Sequence, residues 1–144
     1  MTSTTQAPHI AAGGTPFLSV PASVEQLALL RAVVRAAADH HGMSMDMLAD
    51  LVLAVDEAAA TLINHARLST ALVCTFDTVT DRNVLRVALT TTTSSPLDTS
   101  TSSFGWLVLK TLVDHVALEQ TPAATTGGDR SATITLEKAL PASS

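Results

Sequence analysis

The spacing of apolar residues changes near Thr70, and this change restricts the fold more than any other feature of the chain. Before it, apolar residues recur every three or four positions, as they do on one face of a helix. After it, Leu72, Cys74 and Phe76 alternate with small or polar residues, as in a strand with one buried face. The chain must therefore pack a helical part against a sheet.

Two helices are predicted before this change. The first covers residues 23–40: Ser23 and Gln26 have the spacing of a capping box, and Gly42 provides a stop. The second covers residues 44–66. Their buried stripes, at helical spacing, are Val24, Leu27, Leu30, Val34 and Ala37 in the first helix and Leu48, Leu51, Val52, Val55, Ala59, Leu62 and Ile63 in the second.

The remaining elements are short. They are predicted as a strand at 17–20, a hairpin with strands from 70 and at 84–89, a helix at 104–114, and strands at 115–120 and 131–140. This order predicts an α+β fold, a two-layer sandwich with the helices on one face of a mostly antiparallel sheet. We expect one domain over residues 17–140, between a flexible tail at 1–16 and a short tail at 141–144.

Composition excludes several classes of function. The net charge is −5, and no cluster of Lys or Arg is present that would neutralise a row of phosphates, so we expect no direct contact with nucleic acid. Cys74 is the only cysteine and the histidines do not converge, so we expect neither a disulfide nor a metal site. No apolar stretch approaches the ~20 residues of a membrane span. These features are typical of a cytoplasmic protein.

Three segments, in this order, resemble the serine-kinase type of anti-sigma factor. This is the RsbW and SpoIIAB group of the GHKL ATPase superfamily, and its actinobacterial UsfX-like branch is the most similar. The segments are "VPASVEQLALLR", then "LVLAVDEAAATLINHA", which is similar to the N-box helix of that family, then "SFGWLVLKTLVDHV", which is similar to its second glycine box. The resemblance covers residues 17–140 and implies a histidine-kinase-like ATPase fold.

The resemblance implies a nucleotide site whose residues carry over position by position. Glu57 takes the place of the acidic general base, Thr61 that of the Mg²⁺-binding Asn, and His65 that of the usual His. Leu89 falls at the Asp of the DxGxG box, and Gly105 is the one glycine that remains of the later Gly-x-Gly. We expect His65 to cap helix carbonyls rather than to line the pocket.

Thr61, Leu89 and also Ser103, which stands at the first glycine of the Gly-x-Gly, depart from the pattern of an active kinase. A threonine hydroxyl is a poorer ligand for Mg²⁺ than an amide carbonyl, and Leu89 offers no acceptor to an adenine amine. Taking about 2 kcal/mol for each of three defects, nucleotide binding weakens about a thousandfold or more. We therefore expect no cofactor, with only weak binding of ATP and Mg²⁺, and an inactive or weakly active kinase-like fold.

A hydroxyl-rich run takes the place of the ATP lid in this resemblance. Eleven of the fourteen residues from Thr90 to Ser103 are Ser or Thr. We expect a flexible, vestigial lid that has become a partner-contacting loop.

The first helix carries a second apolar line, formed by Leu29, Val33 and Ala36, on the side roughly opposite its core stripe. Arg31 and Arg35 lie on its flank. A second apolar face usually packs against a second molecule. The resemblance implies that this molecule is a sigma factor or the mate in a homodimer; the alternative is that the N-terminal tail, or nothing, covers these small side chains.

The sequence therefore predicts an anti-sigma factor that sequesters a stress-type sigma factor by binding alone and is countered by an anti-anti-sigma partner of the STAS type. An active serine kinase that phosphorylates this antagonist is the first alternative, and Glu57 would then be its general base. The second alternative is a small-ligand sensor that uses the degenerate pocket.

Overall fold

The structure, a computed structural model, describes residues 15–97, 103–122 and 128–142. The predicted tails therefore lie mostly outside the described residues. Within these ranges the chain forms a 3-10 turn at Val24–Gln26 and eight regular elements: β1 (Phe17–Pro21), α1 (Leu27–His40), α2 (Met45–His65), β2 (Ala71–Val79), β3 (Val84–Thr93), α3 (Phe104–Leu112), β4 (His115–Thr121) and β5 (Arg130–Ala139).

The strands form one sheet in the order β1-β2-β3-β5-β4, and each neighbouring pair is antiparallel. Every second residue of the central strands is buried, as Leu72, Leu85 and Ile134 illustrate. These residues face the helices, which cover one side of the sheet, so the predicted two-layer α+β fold is confirmed. In the described ranges, no helix is both long and apolar enough to cross a membrane.

α2 is the central element of the helical layer. It contacts α1 and α3 on its two sides and the strands β2, β3 and β5 below it. Ala54, Ala58 and Ala59 have no exposed surface, and such small side chains allow neighbouring elements to approach α2 closely. Ser44, where the sequence predicted the helix to start, caps it, since its hydroxyl accepts a hydrogen bond from the Met47 backbone N–H at 3.3 Å.

α1 begins differently from the prediction. The Ser23 side chain makes no capping hydrogen bond, and its carbonyl instead accepts from the Gln26 N–H in a 3-10 turn. Val24 lies in this turn and is 59% exposed rather than buried. The tighter winding of a 3-10 turn rotates Val24 off the stripe that α1 buries. That stripe consists of Leu30, Val34 and Ala38.

β3 is longer than predicted and includes the start of the hydroxyl-rich run. Thr90 to Thr93 continue the strand and pair with Thr133 to Arg130 of β5. Thr91 and Thr93 face the helices and are buried. The predicted loop therefore begins at Ser94, and its residues 98–102 lie outside the described part of the chain. Threonine is β-branched and suits a strand wherever a partner strand is present.

The outer face of the sheet, opposite the helices, carries a charge cluster around Glu137. This residue is 4% exposed, and its carboxylate accepts hydrogen bonds from Arg82 at 2.7 and 3.2 Å and from Arg86 at 2.9 Å. The hydrogen bonds from Arg82, and then those from Arg86, lower the pKa of Glu137 against the opposing effect of burial. The ionised carboxylate therefore stabilises the fold.

We predict that Glu137→Gln lowers the free energy of unfolding by about 1–2 kcal/mol at pH 7, because Arg82 and Arg86 lose a charged acceptor. A lowered folded-state pKa gives stability that is fully present above the unfolded-state value of 4.5 and is lost as the pH falls through the folded-state value. Urea denaturation of the wild type and of Glu137→Gln should therefore show a difference in the free energy of unfolding that narrows below about pH 4.5.

Glu25→Gln, which neutralises an exposed carboxylate, is the matched control and should change stability by a few tenths of a kcal/mol at most. If the free energies of unfolding of the wild type and Glu137→Gln differ by the same amount at pH 7 and at pH 3, the ionised carboxylate does not stabilise the fold.

Candidate functional site

The predicted site residues lie on three elements. Glu57, Thr61 and His65 occupy successive turns of one side of α2. Gly105 is the second residue of α3, which packs alongside α2. Leu89 lies on β3, in the core between the sheet and the helices. The structure therefore brings Gly105 directly to the α2 residues and places Leu89 in the hydrophobic layer.

Glu57 and Gly105 are in close contact. A Cβ built on Gly105 would lie 2.5 Å from Glu57 Oε2 and 3.4 Å from Glu57 Cδ, so only glycine fits here without displacing the carboxylate. The contact also places a negative charge beside the first turn of α3, where the helix dipole favours anions. The Ser103 hydroxyl caps the same turn by accepting from the Trp106 N–H at 3.3 Å. Glu57 thus supports the start of α3.

Thr61 and His65 hydrogen-bond within α2. The Thr61 hydroxyl donates to the Glu57 carbonyl at 3.0 Å and lies 3.5 Å from Glu57 Oε2. His65 Nδ1 lies 2.9 Å from the Thr61 carbonyl oxygen, and its N–H donates to it. His65 was expected to cap helix carbonyls, and this hydrogen bond is of that kind. Both side chains therefore satisfy groups of their own helix.

The buried residues of β3 near the site continue from Leu89 through Thr91 and Thr93. Leu89 has no exposed surface and lies between Cys74 of β2 and Ile134 of β5 in the sheet register. The Thr91 hydroxyl donates to the Ala71 carbonyl at 2.9 Å. Among atoms of the described residues, Thr93 Oγ1 is buried without a hydrogen-bond partner.

The burial of Thr91 and Thr93 was not predicted, although both share the strand parity of Leu89, and that parity was the available signal. It was overlooked because the run of threonines was assigned to a loop.

Several of the predicted nucleotide-site residues contact the protein itself. Gly105 lies against the Glu57 carboxylate. The Thr61 hydroxyl is directed to its own helix, and Leu89 presents only methyl groups. The glycine that remains from the family pattern thus serves helix packing here.

No other chemical centre is evident among the described residues, where no group of three or more His, Cys, Asp and Glu side chains is placed to hold a metal ion. Burial raises the pKa of Cys74 to about 12, because the charged thiolate is disfavoured away from water. Cys74 is therefore held as a neutral thiol and is unsuited to act as a nucleophile.

The predicted partner residues of α1 do not form one exposed line. Leu29 is 49% exposed and Arg35 is also exposed. Arg31 instead pairs with Asp56 of α2, with 2.8 Å between Nε and Oδ1. Val33 is half-buried and packs against the core, so its placement on a free opposite face was wrong. The accessible part of this face is therefore narrower than the sequence indicated.

We predict that Gly105→Ala behaves differently with and without Glu57. Alanine in a helix is favoured over glycine by about 0.5–1 kcal/mol, but beside Glu57 the new methyl group must displace the carboxylate, which offsets that gain. In a Glu57→Ala chain the methyl group meets no carboxylate, so Gly105→Ala should stabilise by the full amount. Urea denaturation of the four chains measures this coupling, and equal effects in both backgrounds would contradict the contact.

Comparisons with known proteins agree with this architecture. The family profile described as "Histidine kinase-like ATPase domain" matches residues 20–127. Over 99 residues the chain is 36% identical to the "Anti-sigma-F factor RsbW" of Mycobacterium tuberculosis, in both strain CDC 1551 / Oshkosh and strain ATCC 25618 / H37Rv. The aligned part covers 69% of this chain and 58% of each relative, so the chain spans less than two thirds of their length.

The fold is also similar to a solved structure, "The crystal structure of the RsbU and RsbW domains of Rv1364c from Mycobacterium tuberculosis". The TM-score is 0.62 at 20% identity, and the match covers 89% of this chain and 34% of that one. These matches confirm the resemblance to the RsbW type that the three motifs indicated. The family profile spans most of the five-stranded sheet and all three helices, and the chain therefore belongs to the family of histidine kinase-like ATPase domains.

Proposed function

We propose that this protein is an anti-sigma factor that acts in the cytoplasm by binding its sigma factor, without nucleotide chemistry. The observation that carries the proposal is the fully buried, apolar side chain of Leu89, which stands where the resemblance places the carboxylate that accepts from an adenine amine. Its support comes from the similarity to relatives that are named anti-sigma-F factors.

Binding alone is sufficient for this function. A sigma factor held in a stoichiometric complex is withdrawn from RNA polymerase by mass action, in proportion to the affinity of the complex. Release must then come from a competing protein, because the site offers no nucleotide turnover to drive it. We propose an anti-anti-sigma factor as that competitor.

We assign sigma-factor binding to the exposed part of α1, formed by Leu29 and Arg35. Between α1 and β2, Val33 lines an apolar cavity of about 420 Å³ together with Ala36 and Phe76. An apolar side chain, a cation and a shallow apolar depression on one rigid helix suit a partner helix with apolar and acidic residues. Arg31 contributes indirectly, because its ion pair with Asp56 holds α1 against α2.

We predict that the chain shows no heat of binding in a calorimeter when ATP or ADP with Mg²⁺ is titrated into it at concentrations up to 1 mM. The binding free energy is then weaker than about −4 kcal/mol, which corresponds to a dissociation constant of 1 mM. Radiolabelled ATP should likewise give no phosphate transfer to an anti-anti-sigma protein. We expect both results because Leu89 offers no acceptor to an adenine amine and the Thr61 hydroxyl is a poor ligand for Mg²⁺.

Glu57→Ala is the matched control for this experiment, since it removes the carboxylate that a kinase would need. Wild type and variant should give the same flat titration. Micromolar binding that disappears in Glu57→Ala would overturn the proposal and favour the active kinase.

We predict that Leu29→Asp and Arg35→Glu each weaken binding of the sigma factor at least tenfold, about 1.4 kcal/mol, because each places a carboxylate in the proposed contact. Calorimetry with the purified sigma factor measures the affinity. Val33→Asp and Arg31→Glu are unsuitable variants, because Val33 packs on the core and Arg31 pairs with Asp56.

Phe104→Asp on α3 is the control, since Phe104 is 80% exposed and lies on a different helix. It should bind the sigma factor like wild type. Unchanged affinity in both α1 variants would remove this face from the proposal, and a complete absence of complex with any sigma factor would overturn the function itself.

A further inference from the structure

An apolar groove of about 420 Å³ lies between α1 and β2, beside the point where the described chain begins. Its two walls are formed by Val33, Ala36 and Ala37 of α1 and by Pro16, Phe76 and Thr78. Ala36 is exposed, and Val33 and Ala37 are only partly buried. Small, accessible, apolar walls of this kind favour an occupant that brings apolar side chains and no charge.

The chain enters β1 along this groove. Pro16 continues the register of β1 with β2, because its carbonyl accepts a hydrogen bond from the Phe76 N–H at 3.0 Å. In an antiparallel pair, every second residue of a strand directs its N–H and C=O to the same neighbour. Thr78 therefore directs these groups to the same edge of β2 as Phe76. A continuation of the register by two residues would place Gly14 opposite Thr78.

This edge of β2 is remote from the internal segments that lie outside the described part of the chain. Residues 98–102 follow the Thr93 end of β3, and residues 123–127 join β4 to β5 at that same end of the sheet. Thr78 lies at the other end, near the turn between β2 and β3. The segment that precedes Thr15 is therefore the part of the chain best placed to add to this edge, where unpaired backbone groups favour a further strand.

The composition of this N-terminal segment suits the groove. Residues 1–14 contain no Asp, Glu, Lys or Arg, so their contact with apolar walls buries no charged side chain. After the first residue, Ile10 is their one large apolar side chain, and two alanines follow it. Gly13 and Gly14 connect this apolar group to β1 and, without a Cβ, allow the backbone to turn or to approach α1 closely. Ile10 is six residues before Pro16, a reach of up to about 20 Å.

We propose that residues 9–14 bind back into the groove between α1 and β2, with Gly14 paired to Thr78 and the Ile10 side chain against the apolar wall of α1. The segment then competes with a partner helix for this groove. A partner binds only the fraction of molecules in which the groove is open, so its affinity is reduced by that fraction. The competition rests on the proposed function, which places the sigma factor on α1, whereas the docking of the segment does not.

Amide hydrogen exchange of the chain alone tests the added strand pair. The Thr78 N–H should exchange about tenfold or more slowly in the full chain than in a variant that lacks residues 2–14, because Gly14 supplies its acceptor. The Phe76 N–H is the internal control, since it donates to Pro16 in both chains and should be equally protected. Circular dichroism confirms that the shortened chain is folded. Equal exchange of Thr78 in the two chains would overturn the strand pairing.

Cross-linking locates the Ile10 side chain. Ile10→Cys combined with Ala36→Cys, at the exposed wall of the groove, should form a disulfide within one chain on mild oxidation. Ile10→Cys combined with Leu53→Cys is the matched control, because Leu53 is 57% exposed but lies on α2, and it should react about tenfold more slowly. The native Cys74 does not interfere, because it is 1% exposed. Equal rates, or a disulfide that joins two separate chains, would overturn the proposal.

Calorimetry with the purified sigma factor tests the competition. Ile10→Asp should raise the affinity about threefold or more, because a carboxylate is disfavoured against the apolar wall and the segment leaves the groove. Thr4→Asp adds the same charge outside residues 9–14 and should bind like wild type. Equal affinities of Ile10→Asp and wild type would overturn the competition. A complete absence of complex would overturn the proposed function instead, and the exchange and cross-linking experiments, which use the chain alone, would still decide the docking.

Discussion

The packing of α2 against the centre of the sheet is the constraint on which the rest of the structure depends. α2 touches both other helices and three strands, and its alanines bring them close enough to share one core. Leu51 and Leu62 are fully buried near its two ends, so the helix cannot rotate without exposing a large apolar side chain. Its polar side is thereby fixed in direction, and the candidate site is built on that side.

The same packing explains the contacts that the predicted nucleotide-site residues make. Since α3 lies against α2, the first turn of α3 is brought onto Glu57, and the absence of a side chain at Gly105 allows the contact. The Thr61 hydroxyl and the His65 ring hydrogen-bond to carbonyls of their own helix.

The exposed surfaces of α1 and β4 lie at opposite ends of the molecule. α1 lies toward the β1 end of the sheet and carries Leu29 and Arg35, whereas β4 is the terminal strand at the other end. The ion pair of Arg31 with Asp56 joins α1 to α2, so the proposed binding helix is held rigidly relative to the core.

The sequence by itself determined the order and type of the elements, since a spacing of three or four residues and a spacing of two are local properties of the chain. The order and spacing of its motifs also indicated the family. Only the tertiary structure decided that Thr90 to Thr93 belong to β3, because β5 supplies their partner strand from a distant part of the chain. Likewise the burial of Val33 and the contact of Gly105 with Glu57 depend on how separate elements meet, which no local pattern specifies.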